Sequence, residues 1–335
     1  MPPFWQLGDV IVGQRGQLPT ATRTRLSAWA PDGSELHGSM IVFDDGFSST
    51  LNLQYQNRFL YFGALNSKTI WRTRGNADYE VEAVAVSTLL RPGLAVDARS
   101  KLYYGSRNGN NYTITKINPN TGEVLNDWII PNSLNFDLGQ SLEPIVIMIS
   151  PDGRNLYFND GTEYDGNSFP PVINKLDTIT SEFSFIDFNP IVEALTGDFV
   201  FDVDHFTIDN AGNLWLAITL DVSADELILI ANGSGEVISS LRIPFDTPTE
   251  GFGVYGVVRG MGVDLANQYC YLASGNGGPD GIVRVDRNGI INHWDPSVGV
   301  PGDVISNTFD CCVAIRGRGG LHGLGSLHGT LIGAN

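Results

Sequence analysis

Apolar residues in this chain come in short runs that alternate with polar positions, and each run ends in a cluster of Gly, Asn, Asp or Pro. That pattern predicts β-strands joined by tight turns rather than helices. One phrase recurs: an apolar strand, a Gly/Asn/Asp turn, then a strand led by Leu-Tyr or Leu-Trp. Phe59-Leu60-Tyr61-Phe62-Gly63 follows Leu51 to Asn57, Lys101 to Gly105 follows Gly93 to Asp97, and Asn155 to Phe158 follows Ile147 to Gly153. Asn213 to Ala217 follows Phe206 to Gly212, and Tyr269 to Ala273 follows Met261 to Asn267. Further strands follow in register: Tyr112 to Ile117 turns through Asn118 to Gly122 into Val124, and Leu227 to Ile230 turns through Asn232 to Gly235 into Val237. Ile282 to Val285 turns through Asp286 to Gly289. Gly and Asn suit these hairpins because the turns need positive φ, which costs least without a Cβ or with a short polar side chain. Long amphipathic helical patterns are absent; Pro190 to Leu195 reads as one short helical turn.

Matching second-strand positions are Leu60, Leu102, Leu156, Leu214 and Cys270, a step of roughly 40 to 60 residues, which suits four-stranded propeller blades with some long loops. The expected architecture is an all-β β-propeller forming a single domain over residues 1–335. The N-terminus enters the pattern out of phase, with Gly8 to Gly13 as a second strand, followed by Arg25 to Trp29 and Leu36 to Phe43. Asp310 to Gly317 has the form of a first strand with no third or fourth strand after it. Pairing the two predicts six blades of four antiparallel strands, the closing blade built from both ends of the chain, which removes two open sheet edges. Thr330 to Asn335 also resembles a second strand, so a seventh blade or an extra edge strand stays open.

Charge narrows the partners. Lys and Arg number 20 against 37 Asp and Glu, a net charge of −17 with the acids spread along the chain. Such a surface repels phosphate backbones and disfavours nucleic acid. No apolar run is long enough to span a membrane as a helix. Met1 to Trp5 lacks the basic and apolar regions of a secretory signal, so synthesis in the cytoplasm is expected. With 42% hydrophobic and 17% charged residues the chain can fill a core. Its three cysteines include the vicinal pair Cys311 and Cys312, which is not a disulfide framework; buried thiols in inner strands are expected.

Candidate chemistry is sparse. The histidines include no metal-spaced pair, and the glycine-rich stretch Gly317 to Gly323 has His322 at the third glycine position of a dinucleotide loop. No Gly-x-Ser-x-Gly elbow occurs. Two acidic groups could hold Ca2+ or another divalent cation: Asp160 and Asp165 on the turn Asp160 to Asn167, and Asp204 in the run Asp198, Asp202, Asp204 before an inner strand. Aromatic residues of the long loops, Tyr164, Phe169, Phe252 and Tyr255, are the candidate contact surface.

The phrases Ser150-Pro151-Asp152-Gly153-Arg154-Asn155-Leu156-Tyr157 and Asp209 to Ala217 resemble the gluconolactonase family and the wider NHL-like propellers. That resemblance implies one divalent cation in the channel, held by a Glu, two Asn and an Asp from separate blades. Asp204 matches the place of the Asp; Ile145 and Pro92-Gly93 stand where the two Asn are expected, and no Glu-Gly-Pro-like segment precedes Leu60 or lies near Cys311. Leu7 to Gly13 with Leu26 to Trp29 and Asp32 to Leu36 is loosely similar to propeller repeats of bacteriophage particle proteins. The expectation is a non-enzymatic structural or binding propeller that needs no cofactor and ends in a virion, in the phage tail or tail tip. It would contact other structural proteins of an assembly, a surface glycan or a receptor. Two alternatives stay open: a metal-dependent lactonase- or lyase-type enzyme, and a protein-interaction propeller unrelated to phage.

Overall fold

The computed structural model describes residues 5–17, 22–43, 50–64, 68–74, 80–89, 92–131, 144, 146–159, 172–223, 225–243, 257–275, 281–294 and 312–315. These residues form six four-stranded antiparallel sheets arranged in a ring, with one helix. Blade 1 contains β1 (Val10–Gln17), β2 (Thr22–Trp29) and β3 (Leu36–Phe43). Blade 2 contains β4 (Thr50–Gln56), β5 (Phe59–Ala64), β6 (Thr69–Thr73) and β7 (Val81–Val86). Blade 3 contains β8 (Leu94–Val96), β9 (Leu102–Asn108), β10 (Asn111–Ile117) and β11 (Val124–Ile129). Blade 4 contains β12 (Val146–Ile149), β13 (Asn155–Asn159), β14 (Val172–Asp177) and β15 (Phe183–Asp187). Helix α1 (Asn189–Thr196) leads into blade 5, with β16 (Val200–Ile208), β17 (Leu214–Leu220), β18 (Glu226–Ala231) and β19 (Val237–Ile243). Blade 6 contains β20 (Val257–Val263), β21 (Cys270–Gly275), β22 (Ile282–Val285) and β23 (Ile290–Trp294).

The last strand, β24 (Cys312–Ile315), returns to blade 1 and pairs with β1, Val10 opposite Ile315 and Gly13 opposite Cys312. The closing blade is therefore shared between the two ends of the chain, as the sequence predicts. Residues 330–335 lie outside the described residues. First strands touch first strands around the ring, so β4, β8, β12, β16, β20 and β24 line its axis. Gln54 Nε2 donates to Met148 Sδ at 3.0 Å, from blade 2 to blade 4, so side chains of the inner strands meet inside the ring.

Period-two alternation explains the repeated dipeptide. Leu60, Leu102, Leu156, Leu214 and Cys270 are all fully buried and face the preceding blade. The next residue in each, Tyr61, Tyr103, Tyr157, Trp215 or Tyr271, points the other way and fills the core shared with the following blade. One dipeptide thus glues two interfaces, each buried side chain contributing about 1.5–3 kcal/mol. The polar tips are satisfied: Tyr103 Oη donates to Asp97 Oδ2 at 3.2 Å, Trp215 Nε1 to Asp209 Oδ2 at 3.2 Å, and Tyr271 Oη to the Pro31 carbonyl at 3.0 Å. Burial, then the Asp152 carboxylate, pushes the Tyr157 phenol up to about 12. Cys270 is buried as expected, but in a second strand rather than an inner one.

The face carrying the turns between first and second strands, here the lower face, is latched from blade to blade. Asn57 Nδ2 reaches the Ala98 carbonyl at 3.1 Å, Arg72 Nη1 reaches Asn120 Oδ1 at 2.7 Å, and Trp128 Nε1 reaches Ser181 Oγ at 3.0 Å. Asn210 Nδ2 reaches the Leu265 carbonyl at 3.0 Å, and Asn292 Nδ2 the Asp32 carbonyl at 2.7 Å. Much of the acidic excess works here as turn staples. Asp97 and Asp209 each accept two backbone N–H groups of their own turn and Asp264 three, which satisfies donors that a buried turn would otherwise strand.

Candidate functional site

The upper face, where inner strands begin, is built differently. The strand ends bordering segments 132–143, 160–171, 244–256 and 295–311 lie at this end. Asp160, Tyr164, Asp165, Phe169, Phe252 and Tyr255 belong to two of those segments and lie outside the described residues. What the structure describes most fully here is the mouth of blade 5.

Helix α1 forms because Pro190 fits the first helical turn and Gly197, at φ 72°, closes it with its N–H on the Glu193 carbonyl. Val192 anchors the helix in the core between blades 4 and 5. The chain then enters β16 through Asp198. Burial pulls the Asp198 carboxyl upward, but the N–H groups of Val222, Phe199 and Ser223 and the Ser223 hydroxyl outweigh it and hold it below the usual carboxylate range. Asp198 therefore pins the 221–223 turn to the start of the inner strand.

Two irregularities of register, between Val200 and Asp202 and between Val203 and His205, loosen the ladder of β16 against β17. Asp204 sits at the second of them, so it is turned to the same side as Thr219, facing blade 6. Thr219 Oγ1 donates to Asp204 Oδ2 at 2.7 Å and lies 3.4 Å from Glu226 Oε2. Thr219 and Glu226 are cross-strand partners on β17 and β18. Glu226 is 6% exposed, and its Oε1 has no hydrogen-bond partner among the described residues. Burial first, then the Asp204 charge and a hydrogen bond to Asp204, hold the Glu226 carboxyl well above its ordinary range. Two carboxyl groups this close share a proton more readily than they both ionise.

That arrangement can store a proton. Among the described residues no group of three or more His, Cys, Asp or Glu side chains is placed to hold a metal ion. On blade 4's lower edge a cleft of about 740 Å³ is lined by Asp152, Arg154, Lys175, Asp177 and Glu182. Its charges already answer one another, with Arg154 Nε 2.9 Å from Asp177 Oδ2.

Around the mouth of blade 5 the surface turns apolar. Leu195, Phe199, Phe201 and Val222 are 48%, 46%, 53% and 79% exposed. Phe199 and Val222 lie side by side, since Asp221 N donates to the Phe199 carbonyl at 2.9 Å and Val222 N to Asp198 Oδ1 at 3.0 Å, while Leu195 and Phe201 stand on the flanking α1 and β16. Large apolar side chains are exposed elsewhere on the ring as well, among them Leu7, Val86, Val124 and Ile179, but at the mouth of blade 5 four fall on neighbouring segments, which makes this the candidate contact surface.

No protein-family model matches the sequence, and no curated protein matches it. Solved structures do match the fold. TolB from Acinetobacter baumannii superposes with a TM-score of 0.61 at 13% identity over 91% of this chain, and the chain spans 66% of the length of that one. A chain of a nidogen/laminin complex gives 0.53 at 12% identity, covering 91% of this chain and 97% of its own. XC5397, a gluconolactonase from Xanthomonas campestris, gives 0.51 at 15% identity over 90% and 89%. The shared feature is the β-propeller. Identities this low establish architecture, and proteins of different activity share it.

Of the residues singled out in the sequence, the structure positions Asp204 and gives it Thr219 and Glu226 as companions. Neither companion carries a sequence signal of its own, because a Glu opening a strand reads as an exposed edge and only the packing of blade 6 buries it. Phe199 and Phe201, interleaved with Asp198, Asp202 and Asp204, were not singled out in the sequence, because which of them stays in water depends on the register shift at Phe201.

Proposed function

We propose that the chain is a non-enzymatic binding propeller, a rigid ring whose upper face serves as a platform for contacts within a larger assembly. The exposed edge formed by Leu195, Phe199, Phe201 and Val222 carries this reading, since nothing in the packing of blade 5 requires those side chains in water. Support also comes from the lower face, where the blades are tied to one another by short stapled turns, leaving contact to the opposite end. A bacteriophage tail or tail tip is the assembly we favour, on the loose likeness of the Leu7 to Leu36 region to particle propellers. Mass spectrometry of purified particles tests that placement: the protein is expected at stoichiometric copy number, and its absence from particles removes the phage assignment.

One observation favours a second reading, a cation-dependent enzyme of the lactonase or lyase type. Asp204 and Glu226 bring carboxyl oxygens to the mouth of the ring, where Ca2+ or another divalent cation could be held together with groups outside the described residues. Lactone hydrolysis that requires added cation and disappears in Asp204→Ala would establish the enzyme; no hydrolysis with any divalent cation leaves the platform reading.

A further inference from the structure

We propose that the upper edge of blade 5 docks a basic, apolar-rich segment of a partner protein, with the partner's aliphatic or aromatic side chains on Leu195, Phe199, Phe201 and Val222 and its Lys or Arg side chains among the surrounding carboxylates. This rests on the platform reading and names the partner's chemistry.

Charge complementarity selects the partner. Between Lys175 and Arg242 the sequence contains no Lys or Arg, while Asp and Glu recur throughout. All of blade 5 up to Leu241, helix α1 included, therefore lacks a permanent cation. Arg242 is itself engaged, its Nε 2.6 Å from Asp225 Oδ2. The apolar edge is flanked within this sector by Glu193 and Asp221, both exposed, and by the partly exposed Asp202 beside Phe201. Behind them, the buried Asp204–Glu226 pair, which shares a proton, adds one further negative charge at the same end of the blade.

An edge of this kind discriminates strongly. Anionic lipid and nucleic acid are repelled by the same field that attracts Lys and Arg. A neutral glycan would stack on the phenyl rings but would leave the negative potential unanswered. A segment alternating basic and apolar residues uses both features at once, the charges steering encounter and the buried apolar side chains holding the complex. The relatively rigid entry to β16, pinned by Asp198 to the 221–223 turn, keeps Phe199 and Val222 in place before the partner arrives, so little ordering cost remains.

The probe is a short synthetic peptide alternating Lys with Leu and Phe, titrated into the full chain by fluorescence anisotropy at low and at physiological ionic strength. Matched peptides carrying Glu for Lys, or Ser for Leu and Phe, serve as comparisons, and a neutral-glycan array is run on the same protein. Saturable binding of the Lys/Leu/Phe peptide alone is expected, weakening with salt. Phe199→Ser with Phe201→Ser should lose at least about tenfold in affinity. Glu193→Gln with Asp221→Asn should lose about three- to tenfold at low salt and less at high salt. Glu182→Gln with Glu236→Gln, on the lower face, should change nothing. All these sites are exposed or partly exposed, and unchanged melting curves confirm that each variant folds. Equal loss from the lower-face pair, or no loss from the Phe pair, would mean attraction to net charge alone and overturns the proposal. Glycan binding abolished by the Phe pair, without peptide binding, overturns the partner class and leaves the platform reading standing. No peptide binding together with stable incorporation into an assembly likewise sinks only this inference; failure of both tests removes the platform reading as well.

Discussion

Glu226 is the residue whose environment departs furthest from what its side chain prefers. A carboxyl group buried beside Asp204, with one oxygen unpartnered among the described residues, favours the protonated form in the folded chain, while the unfolded chain titrates near 4.5. A raised folded-state pKa contributes stability that is complete below the unfolded value. That contribution is lost as pH rises from about 4.5 toward the folded pKa, because only the unfolded state then releases its proton. Glu226→Gln, which keeps a donor toward Asp204 without a proton to lose, should raise stability at pH 7 to 8 by about 1 kcal/mol or more, roughly 2 °C in Tm, and by little at pH 4. Thermal melts of both proteins across that range check it. A Gln variant less stable at neutral pH would show that Glu226 is ionised and paired in the native ring.

At the scale of an element, the hairpin turn is the unit that repeats, and its acidic residue is structural before it is anything else. Asp209, 2% exposed, accepts from Ala211 N at 2.9 Å and Asn213 N at 2.8 Å through one oxygen, and from Trp215 Nε1 at 3.2 Å through the other. Asn213 Nδ2 is a fourth donor, at 2.9 Å; Asp209→Ala strands all four and should cost about 2–3 kcal/mol in urea unfolding, with Asp209→Asn recovering part of the loss. A cost below about 0.5 kcal/mol would mean that solvent replaces the carboxylate at these turns. Asp97 and Asp264 hold their turns in the same way, so most of the hairpin phrase was legible in the sequence from its Asp, Asn and Gly positions alone. Gly33 illustrates what was not. Its φ of 72° fits a turn glycine, yet a Cβ there would also overlap the Trp294 ring, which comes from a blade more than half the chain away.

For the whole molecule, closure decides stability. β24 fills the inner position of blade 1 and touches β4 and β20 on either side. A chain ended before Cys312 leaves the Val10 to Gly13 stretch of β1 without its partner and opens the ring between blades 6 and 2. Such a chain should lose its single cooperative melt and associate on size-exclusion chromatography. Hydrogen exchange at Val10 to Gly13 is expected to rise well before exchange in β17 and β18. Unchanged protection at those residues would show that the ring holds without its last strand. Blade number was readable because each repeat needs one inner strand, and the sequence supplies the missing one for blade 1 only near its far end.

The sequence by itself determined the strands, the hairpins and the repeated dipeptide, because period-two alternation and turn chemistry are local properties of the chain, and it predicted the sharing of blade 1 from the one inner strand its start lacks. It also determined that the stretch between Lys175 and Arg242 carries no Lys or Arg. Tertiary structure alone decided that Glu226 is buried against Asp204, that Asp198 staples the 221–223 turn, and that Phe199, Phe201, Leu195 and Val222 remain in water. Those outcomes depend on which blade packs on which side and where a strand slips its register, and residues adjacent in sequence do not encode either.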